Sequence, residues 1–316
     1  LLDGFVTPFM FGAKGNGVDN DSLAIQKALD ASLNVHFPEP ENFYLIRTPL
    51  VVRGGQCITG WSKTGGVAKS ADLYKKGLYA SPTVNGTPLF VFGDGVDTSK
   101  RTMHVSNLYM YNNNGPVVKA RYSTEFGFFS CTLRSKYFDC VDTQQSYLFG
   151  FYNCSMSASG TINNAGETPA YVFKGMDNSN GVLFSNCRIS GGSAGGVADI
   201  GRSYSIKFDL CVFESSKYGI RLSGNTDSSV SGNVNSVTLD TCQFENCENV
   251  LDLGSCNTVI GLKINNLCIT RPNTAATTLP AIKLGRVTAM DINVINVDIA
   301  DNQYLYEFVY DSVAAN

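Results

Sequence analysis

Val237-Thr238-Leu239-Asp240-Thr241-Cys242-Gln243-Phe244 reads apolar, any, apolar, any, any, cysteine, any, apolar. Two alternating pairs separated by a two-residue interruption make a strand, a bend and a second short strand. The same template recurs upstream as Ile206, Phe208, Cys211, Phe213; as Val182, Phe184, Cys187, Ile189; as Phe149, Phe151, Cys154, Met156; and as Phe126, Phe128, Cys131, Leu133. With a larger apolar residue in the cysteine slot it continues as Met103, Val105, Leu108, Met110, then Leu262, Ile264, Leu267, Ile269, then Ile292, Val294, Val297, Ile299. A repeat of about 23 to 25 residues with occasional insertions is solenoid behaviour, in which each unit buries its apolar face against its neighbours.

Each coil needs a further strand to close. Val197-Ala198-Asp199-Ile200, Gly219-Ile220-Arg221-Leu222, Val250-Leu251-Asp252-Leu253 and Ala281-Ile282-Lys283-Leu284 supply it at constant offset from the template. The pattern predicts an all-β chain, a right-handed single-stranded parallel β-helix, with coils stacked about 4.8 Å apart. Stacking puts Cys131, Cys154, Cys187, Cys211 and Cys242 in one inward column. They are expected to be small buried free thiols, since parallel side-chain vectors suit a disulfide poorly. Free thiols in turn suit folding in a reducing compartment.

The bulk numbers agree with this class and exclude others. Of 316 residues, 24 are Lys or Arg and 27 Asp or Glu, with no run of like charge, so nothing points to nucleic acid or a membrane surface. No stretch approaches the roughly 20 apolar residues that span a bilayer. The cysteines lack a C-x-x-C pair and the only histidines are His36 and His104, so neither metal nor cofactor is predicted. The chain begins at Leu1, as a piece of a longer protein would.

Residues 1–60 depart from the template and are read as an N-terminal segment with a capping helix, residues 61–316 as the coils. Asn20, Asp21 and Ser22 offer N-caps, and Leu23, Ala24, Ile25, Ala28 and Leu29 an apolar helical face. A solenoid's raw end must be covered, and a short amphipathic helix does this. The run Phe11 to Asp30, with Val35-His36-Phe37-Pro38, Tyr44-Leu45-Ile46 and Ile58-Thr59-Gly60, resembles the N-terminal segment of the pectate lyase-like superfamily, and most of all its bacteriophage tailspike and tail-fibre members. The resemblance implies a homotrimer in a virion tail, folded in the bacterial cytoplasm and acting outside it. It also implies binding and cleavage of a bacterial surface polysaccharide. The Asp-rich calcium cluster and Arg base of true pectate lyases have no match here, so any site must come from this chain's own residues.

Registering the coils stacks their outward residues. Asp199, Arg221, Asp252 and Lys283 form an alternating ladder, each pair contributing under about 1 kcal/mol if exposed. Three positions after the slot stand Tyr111, Arg134, Ser157, Ser190, Glu214, Glu245, Thr270 and Ala300; two positions before it stand Ser185, Asp209, Asp240 and Asn265. Two neighbouring coils thus carry Glu214, Glu245, Asp209 and Asp240 around one bend. Opposed like charges raise the pKa of one partner, which divides a pair into general acid and ionised base or nucleophile. Glycoside hydrolysis asks for that division. Solvated surface carboxylates are the plainer reading. Tyr152, Tyr204 and Tyr218 are expected to stack on sugars, with Arg188, Lys207 and Gln243 as polar contacts. Insertions at 161–169 and 271–279 are expected to wall a groove, and a third lies at 224–235. Two other readings stand beside hydrolysis: a non-catalytic receptor-binding β-helix, and a lyase using Lys207 or Lys263 as base.

Overall fold

The computed structural model describes residues 4–61, 76–93, 102–159, 161–162, 168–192, 194–223, 233–253, 258–270, 280–285 and 287–298, and the backbone of 306–308. Its strands form two parallel sheets, one of 18 strands and one of 10. The chain is a right-handed parallel β-helix with one N-terminal α-helix. Each coil runs along a first face, turns, runs along a second face in the same large sheet, and closes through the smaller sheet.

The template register is the observed one across most of the chain. Met103 pairs with Phe126, Phe149 with Val182, Val182 with Ile206, and Val237 with Leu262. Inside, Phe128, Phe151, Phe184 and Phe208 stack on successive coils with ring centroids 5.3, 5.0 and 4.7 Å apart. These separations follow the strand spacing, so aromatic stacking and backbone pairing reinforce one another. Coils also form upstream of the template: Asn34–Phe37 pairs with Cys57–Gly60, which pairs with Met103–Ser106.

The last rung departs from the expected register. Leu262 pairs with Met290, Ile264 with Ile292, Leu267 with Ile295 and Ile269 with Val297, two residues earlier than Ile292, Val294, Val297 and Ile299. Both registers satisfy the template, because Met290, Ile292, Val294, Ile295, Val297 and Ile299 supply apolar residues at its spacing for either offset. Irregular pairing between Val259 and Leu262 selects the observed one. The residue that follows Thr270 in the second-face column is accordingly Asp298, and Ala300 lies outside the described residues.

The bends are made by left-handed backbone. Asn107, Ser130, Asn153, Asn186, Leu210, Thr241 and Asn266, each just before the slot residue, have φ between 50 and 54°. A second column, including Glu125, Leu148, Ser205 and Ser236, turns the chain into the first face. Asparagine tolerates this region best, and here Asn186 Nδ2 also donates to Asn153 Oδ1 at 2.8 Å.

The helix spans Ser22–Ala31 and buries Ile25, Ala28 and Leu29, while Leu23, expected on the apolar face, is 66% exposed. Asp21 precedes the helix without capping it. Its buried carboxylate accepts instead from the backbone N–H of Lys14 (2.6 Å), Gly15 (3.2 Å) and Leu45 (3.3 Å), tying the loop to the first coil.

All nine described cysteines are free. The five in the ladder are buried, and each thiol points at backbone carbonyls of the bend, as Cys187 Sγ does to Phe151 O (3.3 Å) and Ser185 O (3.4 Å). The preceding thiol in the stack, with burial, pushes those of Cys187 and Cys211 up to about 12, and burial raises that of Cys154. Such groups stay protonated and inert.

Candidate functional site

Four acidic side chains flank one bend on two adjacent coils. Asp209 and Asp240 are register partners at the end of the first face, Glu214 and Glu245 on the second. Leu210 and Thr241, in left-handed backbone, stand between the two pairs. Alternation sends all four outward, because Phe208, Cys211 and Phe213 and their counterparts Leu239, Cys242 and Phe244 point into the core.

Each carboxylate has a donor nearby. Lys207 Nζ lies 3.2 Å from Asp209 Oδ1 and 3.4 Å from Asp240 Oδ2, bridging the pair. Asn265 Nδ2 donates to Asp240 Oδ1 at 2.8 Å. That hydrogen bond, then Lys207, holds the Asp240 carboxyl below its ordinary range. Lys207 is raised in turn, first by its bond to Asp209. Both carboxylates thus favour the ammonium form of Lys207. On the second face, Arg188 Nε donates to Glu214 Oε2 at 2.6 Å with Nη2 at 2.5 Å, and Gln243 Nε2 donates to Glu245 Oε1 at 2.5 Å. The stacked glutamates are thus each served by a separate side chain, which offsets the repulsion that stacking alone would create.

Of the expected polar contacts, Arg188, Lys207 and Gln243 therefore join the carboxylates. The tyrosines spread more widely. Tyr152 stacks on Phe129, with centroids 4.8 Å apart and planes within 4°, and Phe129 stacks on His104 at 4.5 Å. Gly127 and Gly150 make room, since a Cβ on either would lie under 3 Å from the neighbouring ring. Tyr204 lies at the far edge of the first face, exposed, with its N–H on Asn180 Oδ1 at 2.8 Å. Tyr218 opens the closing strand Tyr218–Leu222, past the bend that follows Glu214, and Lys217 Nζ lies 5.4 Å from its ring centroid. Thr161 and Pro169 pair as an antiparallel bridge at the base of their insertion. Residues 163–167, 224–232 and 271–279 lie outside the described residues, and with them the walls of the expected groove.

The charged ladder is longer than four rungs. In register it runs Lys119, Asp142, Lys174, Asp199, Arg221, Asp252, Lys283, with alternating sign throughout. Bonds also leave the column: Arg121 Nη2 holds Asp142 at 2.6 Å, and Lys174 Nζ lies 3.6 Å from Asp139. Asp139 and Asp199 are 8% and 9% exposed, so this part of the ladder is not a solvated surface. Burial pushes the Asp139 carboxyl up to about 6 against the opposing pull of Lys174. Burial of this kind is invisible to a pattern of charges, and Asp139 had no signal in the sequence.

No group of three or more His, Cys, Asp or Glu is placed to hold a metal ion among the described residues, and no helix there is long and apolar enough to cross a membrane. An open groove of about 500 Å³ lies at the capped end, lined by residues including Phe5, His36, Cys57 and Thr59, on coils remote from the four carboxylates.

No family model matches the chain, and no curated protein matches it in sequence. Solved structures do. The N-terminal fragment of bacteriophage Phi29 gene product 12 matches 92% of this chain and 57% of its own, at 15% identity and a TM-score of 0.64. The gp42 tailspike of Acinetobacter phage vb_AbaP_AS12 matches 98% of this chain and 62% of its own, at 12% identity and 0.60. The Family 28 exopolygalacturonase of Yersinia enterocolitica matches 96% of this chain and 76% of its own, at 9% identity and 0.53. The fold is therefore the parallel β-helix that these phage and exopolygalacturonase structures share. The chain spans about three fifths of the length of these two phage structures.

Proposed function

We propose that this chain is the β-helix of a phage tailspike-like protein that binds a bacterial surface polysaccharide and hydrolyses it at the bend between the first and second faces. The observation that carries the reading is the in-register stacking of Glu214 on Glu245 and of Asp209 on Asp240 on the same two coils. Glu214 and Glu245 act as the principal acid and base or nucleophile. Asp240, held ionised by Asn265 and Lys207, supports them with fixed negative charge beside an oxocarbenium-like centre. Stacked glutamates about 5 Å apart suit retention, whereas a Glu and an Asp facing across the bend at about 6.5 to 9.5 Å would suit inversion. The assembly is a homotrimer of the virion tail. Its free cysteines fit folding in the host cytoplasm before the tail acts outside the cell.

The donors on all four carboxylates favour a second reading, a receptor-binding β-helix that holds glycan without cutting it. Release of reducing ends from a broad panel of bacterial polysaccharides separates the two. Hydrolysis predicts release by the wild type and its loss, by about a hundred-fold or more, in Glu214→Gln and Glu245→Gln, with glycan binding and folding retained. Release undiminished in both variants removes the site; release absent from the wild type leaves the receptor-binding reading.

A further inference from the structure

We propose that the closing face carries a subsite for the hydroxyl groups of a neutral sugar, formed by Asp199, Arg221, Tyr171 and Tyr218. This rests on the glycan-binding reading and extends it round the bend that follows Glu214.

Lys174, Asp199 and Arg221 are register partners on three successive coils, and Tyr171, Gly196 and Tyr218 occupy the position three residues earlier on the same coils. Gly196 leaves space that the Tyr171 ring takes: a Cβ there would lie 2.3 Å from Tyr171 Cε1. The ring thus crosses the glycine's coil, and its hydroxyl faces Arg221 on the next, each shifting the other's pKa. Asp139 positions it, accepting the Tyr171 N–H at 2.8 Å.

Two polar atoms in this setting are unsatisfied. Asp199, 9% exposed, has a buried Oδ1 with no protein donor, and the buried Nε of Arg221 has no protein acceptor. Leaving such groups unmet is costly, and the two needs are complementary: one acceptor and one donor on adjacent strands. A hydroxyl satisfies both, because it donates and accepts. An anionic ligand would suit Arg221 but be repelled by Asp199 and Asp139. A cationic one would suit Asp199 but be repelled by Arg221 and Lys174. The chemistry therefore selects a neutral polyhydroxylated ligand, and the rings of Tyr171 and Tyr218 suit the apolar face of a sugar.

The test is binding of a panel of purified bacterial O-antigen and capsular polysaccharides, neutral and uronate-bearing, to the immobilised full chain and its variants, with thermal melting alongside. The expected result is that the wild type binds a neutral polysaccharide and that Asp199→Asn and Arg221→Gln each weaken it by at least about ten-fold, a loss of one charge-assisted hydrogen bond. Tyr218→Ala, which alters a partly exposed ring, is expected to weaken it too and serves where a charge variant melts early. Undiminished binding by folded variants overturns the subsite and leaves the glycan reading standing. Selectivity for uronate-bearing chains overturns the neutral class. Absence of wild-type binding to every member overturns both.

Discussion

Asp139 shows how much one buried residue's behaviour depends on its surroundings. Its carboxyl accepts from the Tyr171 N–H and faces Lys174, yet burial outweighs both and raises it from 3.8 to about 6. The folded state therefore binds this proton more tightly than the unfolded one. Its contribution is most favourable below about pH 4, falls as pH rises toward 6, and above that is a penalty of about 3 kcal/mol. Asp139→Asn should gain stability over the wild type near pH 7, with the gain shrinking toward pH 4; denaturant titration at several pH values measures it, and a difference independent of pH would contradict it. Leu210 offers a second case. It holds φ 53° at a bend where Asn153, Asn186 and Asn266 sit in the same column, and its side chain is 53% exposed, so little packing would be lost. Leu210→Asn should stabilise by about 1 kcal/mol and raise the denaturation midpoint; a lowered midpoint would show that Leu210 has a packing role.

At the scale of the element, the coil is held by inward columns that continue from rung to rung. The phenylalanine stack and the cysteine ladder share the first bend, the rings filling volume and the small thiols letting the chain turn while meeting backbone carbonyls. Phe184→Ala removes the middle of the stack and is expected to cost about 3–5 kcal/mol. In a solenoid that loss should stay local, so hydrogen exchange should quicken in the coils of Phe151 and Phe208 while the capped end keeps its protection. Uniform quickening along the chain would mean that the coils unfold as one unit. The last rung marks the limit of element-level reading. Met290-x-Ile292-x-x-Ile295-x-Val297 and the same template two residues later are equivalent in pattern, and only pairing with Leu262 to Ile269 chose between them.

For the whole molecule, the fold was legible because a parallel β-helix repeats one physical problem many times. Each coil must present apolar side chains at the same offsets, and five cysteines in one slot made the offset unmistakable. The candidate cluster was legible for the same reason: once the coils are registered, Glu214 falls on Glu245 and Asp209 on Asp240 without reference to coordinates. The repeat alone therefore determined the architecture and, on every rung but the last, the inward columns and which outward residues share a column. Tertiary structure alone decided what those outward residues meet. It gave Glu214 to Arg188, bridged Asp209 and Asp240 through Lys207, laid Tyr171 across Gly196 and buried Asp139 and Asp199 in a column of alternating charge. The physical reason is that register follows from periodicity, a one-dimensional property. Burial and hydrogen bonding depend instead on rotamers and on neighbours brought together from different coils, and no repeat in the chain encodes those.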